Sequence, residues 1–194
     1  TSIGRFEEAE ALYIRSTQAR PTDWYGYLLL GIFYKDRQRY DEAVHSLNQA
    51  KELAPDNDIV RYNLGAVYRA YGRYEQATVE LREALKIRSN PLFYAALGGV
   101  YYYEHQFPAA VAALETATDL KPDVYWYWGN LGVYAKWAPG NEAKSSAALP
   151  RALQLALTAA ERDQTNYVLR APVPDYRARL AHPKPQRPEP HQIP

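Results

Sequence analysis

In a chain without cysteine, chemistry has to come from His, carboxylate, hydroxyl or amine groups. The 194 residues hold four His and no Cys, which removes disulfides, thiolate nucleophiles and Cys-based zinc sites together. The four are His45, His105, His182 and His191. Neither His45 nor His105 has a second His at metal-ligand spacing, so both read as solvated or packing side chains. Carboxylates pair as Glu7-Glu8 and Asp41-Glu42. Two acids could share general acid–base work, but these open apolar-periodic stretches, where negative charge complements a helix N-terminus. No phosphate-cradling GxxxxGK[ST] string and no GxSxG elbow occurs. The expectation is a non-enzymatic protein with no catalytic residue, no cofactor and no metal.

Composition narrows the partners. The net charge is +1, so no global field draws the chain onto nucleic acid or an anionic membrane. No apolar run reaches the length that spans a bilayer, and membrane insertion is not expected. Tyr is heavily used, with 18 copies beside 4 Trp. Such side chains supply large amphipathic contact area at small entropic cost, which suits a surface that binds protein.

The elements that position these residues recur. The stretch 59–88, IVRYNLGAVYRAYGRYEQATVELREALKIR, carries Leu64-Gly65, Tyr68, Gly72, Ala77, Leu81 and Ala84. Leu30-Gly31 with Tyr34 is followed by Ala43, Leu47, Ala50 and Pro55, and Leu97-Gly98 with Tyr101 by Ala110, Leu114, Ala117 and Pro122. Leu131-Gly132 opens a fourth copy. The four glycines are 34, 33 and 34 residues apart, the period of stacked helix pairs. Gly and Ala mark places where two helices cross closely, with Tyr and Leu filling the gaps and Tyr34, Tyr68 and Tyr101 expected in the core. One pair cannot bury its apolar surface on both sides, so copies must stack.

This spacing and these residue types resemble the tetratricopeptide repeat (TPR) family, of bacterial type. The fold expected is all-α, a right-handed TPR superhelical solenoid of antiparallel helix pairs with an extended Pro-rich C-terminal tail. Residues 1–21 read as a half repeat, a second helix only, because Gly4 to Ala9 matches Gly72 to Ala77. Four repeats fill 22–162, at about 24–57, 58–90, 91–124 and 125–162. Pro21, Pro55 and Pro122 end second helices, whereas Pro91 and Pro108 suit helix starts. The fourth turn, Ala138 to Gly140, is expected to be one residue longer than in the other repeats. Its second helix contains Pro150, which at about 3 kcal/mol for an interior proline predicts a bend or break. Residues 163–181 read as a degenerate fifth first helix, and 182–194, HPKPQRPEPHQIP, as a Pro-rich tail unable to form helix or central strand.

In TPR proteins the first helices line a concave groove, and counting from each Leu-Gly carries that groove onto this chain. The resemblance implies Tyr25, Leu28, Ile32 and Lys35; Ile59, Tyr62, Ala66 and Arg69; Leu92, Ala95, Gly99, Tyr102 and Tyr103; and Trp126, Gly129, Val133, Lys136 and Trp137. A chaperone-type carboxylate clamp is not expected, since Leu28 and Ile32 stand at its first Lys and Asn sites. An apolar or Pro-rich segment is the expected ligand, and the chain's own tail is one candidate.

Two functions follow. Phe6, Leu12 and Tyr13 at one end and Tyr167, Leu169, Tyr176 and Leu180 at the other are apolar where solenoid caps are usually polar. They predict end-to-end contacts between copies, building a filament or tube, with the tail reaching a neighbour; an extracytoplasmic or cell-surface setting would suit one. The alternative is a client- or peptide-binding adaptor, since the stretch from Trp128 to Gly140 is similar to TPR regions of bacterial signalling proteins. Either way the expected partners are other protein chains, copies of itself first among them.

Overall fold

The computed structural model describes the backbone of residues 2–162 and the side chains of residues 6–161. Residues 163–194, with the expected fifth first helix and the Pro-rich tail, lie outside the described residues. Within them the chain is α-helix and short turns. It divides into two compact units, Thr1–Ser89 and Asn90–Pro194. The first holds α1 (Ser2–Ala19), α2 (Trp24–Lys35), α3 (Tyr40–Leu53), α4 (Asp58–Ala70) and α5 (Tyr74–Ile87). The second holds α6 (Pro91–Tyr103), α7 (Phe107–Leu120), α8 (Tyr125–Ala135) and α9 (Glu142–Arg162).

Local chemistry starts and stops these helices. Three first helices begin on an Asx cap: Asp23 accepts from Tyr25 N–H, Asn57 from Ile59 and Val60 N–H, and Asn90 from Leu92 N–H. Each satisfies donors that the first turn leaves orphaned. Second helices α3, α5 and α7 have no such side-chain cap; the turn before them does that work. Arg39, Arg73 and Gln106 donate backbone N–H to the carbonyls of Tyr34, Tyr68 and Tyr101 at 3.0, 2.8 and 2.8 Å. Gln38, Gly72 and His105, one residue earlier, donate to Lys35, Arg69 and Tyr102. This is the Schellman pattern, which places its C′ residue in the left-handed region. Accordingly Gln38, Gly72 and His105 have φ of 59°, 79° and 59°.

The pairs α2–α3, α4–α5, α6–α7 and α8–α9 close on the repeated glycines. A Cβ on Gly31 would stand 2.5 Å from Leu47 Cγ, on Gly65 2.8 Å from Leu81 Cγ, and on Gly132 2.6 Å from Leu149 Cγ. Gly98 meets the Ala110 carbonyl at 3.1 Å. Opposite them the Ala-Leu-Ala triplets Ala43, Leu47, Ala50; Ala77, Leu81, Ala84; and Ala110, Leu114, Ala117 are fully buried. In the first unit this core takes in Ala9, Tyr13 and Ile14 of α1.

Three expectations are amended. Tyr68 is only partly buried against the core, unlike Tyr34 and Tyr101. The loop between α8 and α9 spans 136–141, against 71–73 and 104–106 in earlier repeats. Helix α9 is continuous through Pro150. Pro150 is exposed, as is Ser146, whose carbonyl would have accepted its N–H, so the orphaned acceptor belongs to the exposed side of the helix. Leu149 and Ala152 on the other side are buried, and that packing holds both flanks in line.

Candidate protein-interaction surfaces

The groove positions follow a 3-4-3 spacing, which puts them on one face of each first helix. In the first unit that face is partly open. Tyr25 is 52% exposed and Ile59 36%; Ile32, Lys35, Tyr62, Ala66 and Arg69 are half-buried. Leu28 is buried and belongs to the core. Burial pushes the Tyr62 hydroxyl above its ordinary pKa, with the Arg69 cation pulling the other way. Arg69 Nε is itself buried without a hydrogen-bond partner, an arrangement that costs free energy. Lys35 pairs with Asp36 at 3.2 Å.

The second unit is more aromatic and more closed. Ala95, Gly99, Tyr102, Gly129 and Val133 are buried, while Leu92, Tyr103, Trp126, Lys136 and Trp137 are half-buried. Tyr102 stacks on Tyr134 at 4.1 Å between centroids, and Trp137 stacks on Phe107 at 6.0 Å. Trp128 donates Nε1–H to the Pro122 carbonyl at 2.9 Å, whereas Trp137 Nε1 is buried without a partner.

Helix α1 carries the described half of the end-to-end set. Tyr13 packs inward, 5.3 Å from the Phe33 ring, but Phe6 and Leu12 are 51% and 59% exposed. The repeat supplies a comparison: Leu12 corresponds to Ser46 and Glu80 in the first unit and to Ala113 and Ala148 in the second, all buried. Glu80 shows what fills the space, accepting from Lys51 Nζ at 2.7 Å and Arg61 Nη1 at 3.1 Å. Those cations come from the preceding second helix and from its own first helix. Tyr167, Leu169, Tyr176 and Leu180 lie outside the described residues.

A polar cluster anchors α1, and sequence reasoning missed it. Glu10 accepts hydrogen bonds on both oxygens from Arg39 Nη1 at 2.9 Å and a third from the Tyr34 hydroxyl at 3.1 Å. The Arg39 bond holds the Glu10 carboxyl below its usual range, against an opposing push from burial; burial raises Tyr34. Beside them the Arg37 guanidinium lies 3.6 Å over Phe33 and 4.5 Å from the Phe6 ring centre. The available signal was spacing. Glu10 with Arg39, Lys51 with Glu80, and Glu115 with Lys144 are ion pairs each 29 residues apart, and Asp58 pairs with Arg88 at 30. One repeat period less a helical turn or so is where neighbouring repeats face each other.

Antiparallel helix pairs closed on Gly, repeated at a fixed period and presenting first-helix faces, define a repeat scaffold of the kind that binds other proteins. In this chain residues 25–90 match the family model of the tetratricopeptide repeat. Among curated proteins it is similar to Superkiller protein 3 of Schizosaccharomyces pombe, 27% identical over 123 residues, 59% of this chain and 9% of that protein. It is also similar to the BBSome complex member BBS4 homolog of Drosophila melanogaster, 21% identical over 109 residues, 55% of this chain and 22% of that one. The chain thus spans less than a quarter of either relative's length. Among solved structures it is similar to MamA, with TM-score 0.72 and 22% identity over 82% of this chain and 94% of that one. A thermophilic TPR protein of Thermus thermophilus, TTC0263, gives TM-score 0.70 at 20% identity, covering 93% of each chain. These structural likenesses establish the fold. Among the described residues no helix is long and apolar enough to cross a membrane.

Proposed function

We propose that this chain is a non-enzymatic protein-interaction scaffold that associates with copies of itself end to end. The observation that carries it is Leu12, a large apolar side chain 59% exposed at a position buried in the four later second helices. An incoming helix that buries Leu12 and Phe6 removes apolar surface worth about 1.5–3 kcal/mol per fully buried side chain. Contacts between unlike ends that do not close generate a filament or tube. Sedimentation velocity over a concentration series tests the proposal. The chain should grow with concentration and Leu12→Asp should not; a wild type that stays monomeric at the highest concentration would sink it.

A second reading, an adaptor for a client peptide, is favoured by Arg69. Its buried, unpartnered Nε beside Tyr62 suits a backbone carbonyl or carboxylate arriving along the first-helix face of the first unit. The Drosophila relative, a homolog of a BBSome complex member, is in keeping with either scaffold role. Binding of a client that is lost in Arg69→Leu, while sedimentation shows no self-association, would select this reading over the first.

A further inference from the structure

Helix α1 commits one face to its own chain. Ala9, Tyr13 and Ile14 pack against the first-unit core, Thr17 is buried, and Glu10 is held by Arg39 and Tyr34. On the opposite side Glu8, Ala11, Leu12 and Arg15 are all exposed, at spacings that put them in one stripe along the helix. Leu12 does not suit the neighbour that an internal repeat provides. Its counterparts Ser46, Glu80, Ala113 and Ala148 are small or ion-paired, and none is a large apolar residue. A cover for Leu12 therefore has to be shaped differently from an internal repeat.

The stripe is complementary to itself. Glu8 and Arg15 lie equally far on either side of the midpoint between Ala11 and Leu12. Laying a second α1 antiparallel across that midpoint brings Glu8 level with Arg15 of the second copy, and Arg15 level with its Glu8. Leu12 then lies beside Leu12 and Ala11 beside Ala11, whose small side chains let the helices approach. Within one helix Glu8 and Arg15 are seven residues apart, beyond the three or four at which helix side chains pair. A parallel arrangement would instead set Glu8 against Glu8 and Arg15 against Arg15, and facing like charges oppose association.

The geometry points to α1 as a self-pairing helix, its Glu8–Ala11–Leu12–Arg15 stripe taking α1 of a second copy, antiparallel, about a twofold axis. The inference rests on the self-association proposed above and names the surface that covers Leu12. A contact of this kind closes at two copies, so growth past a pair needs a surface other than α1. Charge sets the direction of pairing, while the apolar centre supplies the attraction.

The absence of Cys makes disulfide trapping a clean test in the full chain. Chains carrying Ala11→Cys should cross-link into dimers on mild oxidation. Glu8→Cys alone should not, because its two copies would stand about 10 Å apart along the paired helices, too far for a disulfide. Mixed with Arg15→Cys chains it should cross-link, each dimer holding one chain of each kind. No cross-link at Ala11→Cys, or an equal one from Glu8→Cys alone, would overturn the inference. Sedimentation velocity of the same samples under reducing conditions separates the two readings. Association without the Ala11→Cys cross-link would remove this surface and leave self-association standing, whereas monomers at every concentration would remove both.

Discussion

At the scale of single residues, the same turn is built three times with different success. Gly72 takes its φ of 79° freely, but Gln38 and His105 hold 59° with a Cβ in place. The left-handed region costs an L-residue about 1–2 kcal/mol, partly offset by the unfolded-state entropy a glycine would add. Gln38→Gly and His105→Gly are each expected to raise stability by roughly 0.5–1 kcal/mol in denaturant titrations, and Gly72→Ala to lower it by about 1. The glycines at the helix crossings answer to a different constraint. A Cβ at Gly65 would meet Leu81 Cγ at 2.8 Å and the Ala77 carbonyl at 3.3 Å. Gly65→Ala should therefore cost about 1–3 kcal/mol by overpacking. A Gly65→Ala protein as stable as the wild type would mean the two helices can part. The crossing glycines were legible because Leu-Gly recurs on the repeat period. The strained turn at His105 was not, since only its alignment with Gly72 marks it, and a histidine there reads as an ordinary loop residue.

At the scale of elements, ion pairs join neighbouring helices, and Glu10 makes their contribution depend on pH. Its carboxyl is held below the usual range chiefly by the hydrogen bond from Arg39. A depressed folded-state pKa stabilises the protein above the unfolded value, about 4.3 for Glu, and that stability is lost as pH falls through the folded value. The wild type should melt higher than Glu10→Gln near neutral pH, and the two melting temperatures should converge in acid. A constant gap from neutral to acid pH would remove the Arg39 pair as its source. Glu80 is the more buried anchor, and Lys51 and Arg61 keep more access to water than it does. Glu80→Ala should cost about 1–3 kcal/mol, and Lys51→Ala less, because Arg61 still holds the carboxylate. Helix existence, pairing and core triplets could all be read from periodicity. The continuity of α9 could not, because the cost of Pro150 depends on which side it faces. Burial of Leu149 and Ala152 opposite an exposed Pro150 decides that.

At the scale of the whole molecule, the nature of the forces available for association follows from charge and surface. The net charge of +1 leaves neither long-range attraction nor strong repulsion between copies. The large apolar side chains left bare on α1 are Phe6 and Leu12, and two of the nearby ions are already engaged within the chain, Glu10 by Arg39 and Arg37 over two rings. The proposed end-to-end association should therefore rest on apolar burial and respond little to ionic strength. At 1 M salt the Debye length falls to about 3 Å, which would dissolve contacts made by exposed ion pairs and leave buried apolar ones intact or strengthened. Sedimentation of the wild type at low and at 1 M salt, at one protein concentration, should give the same or a larger assembly. Disassembly at high salt would transfer the contact from Leu12 to the exposed acids Glu7 and Glu8. Charge reversal at those two positions, with Leu12 left in place, would then be the substitution that abolishes association.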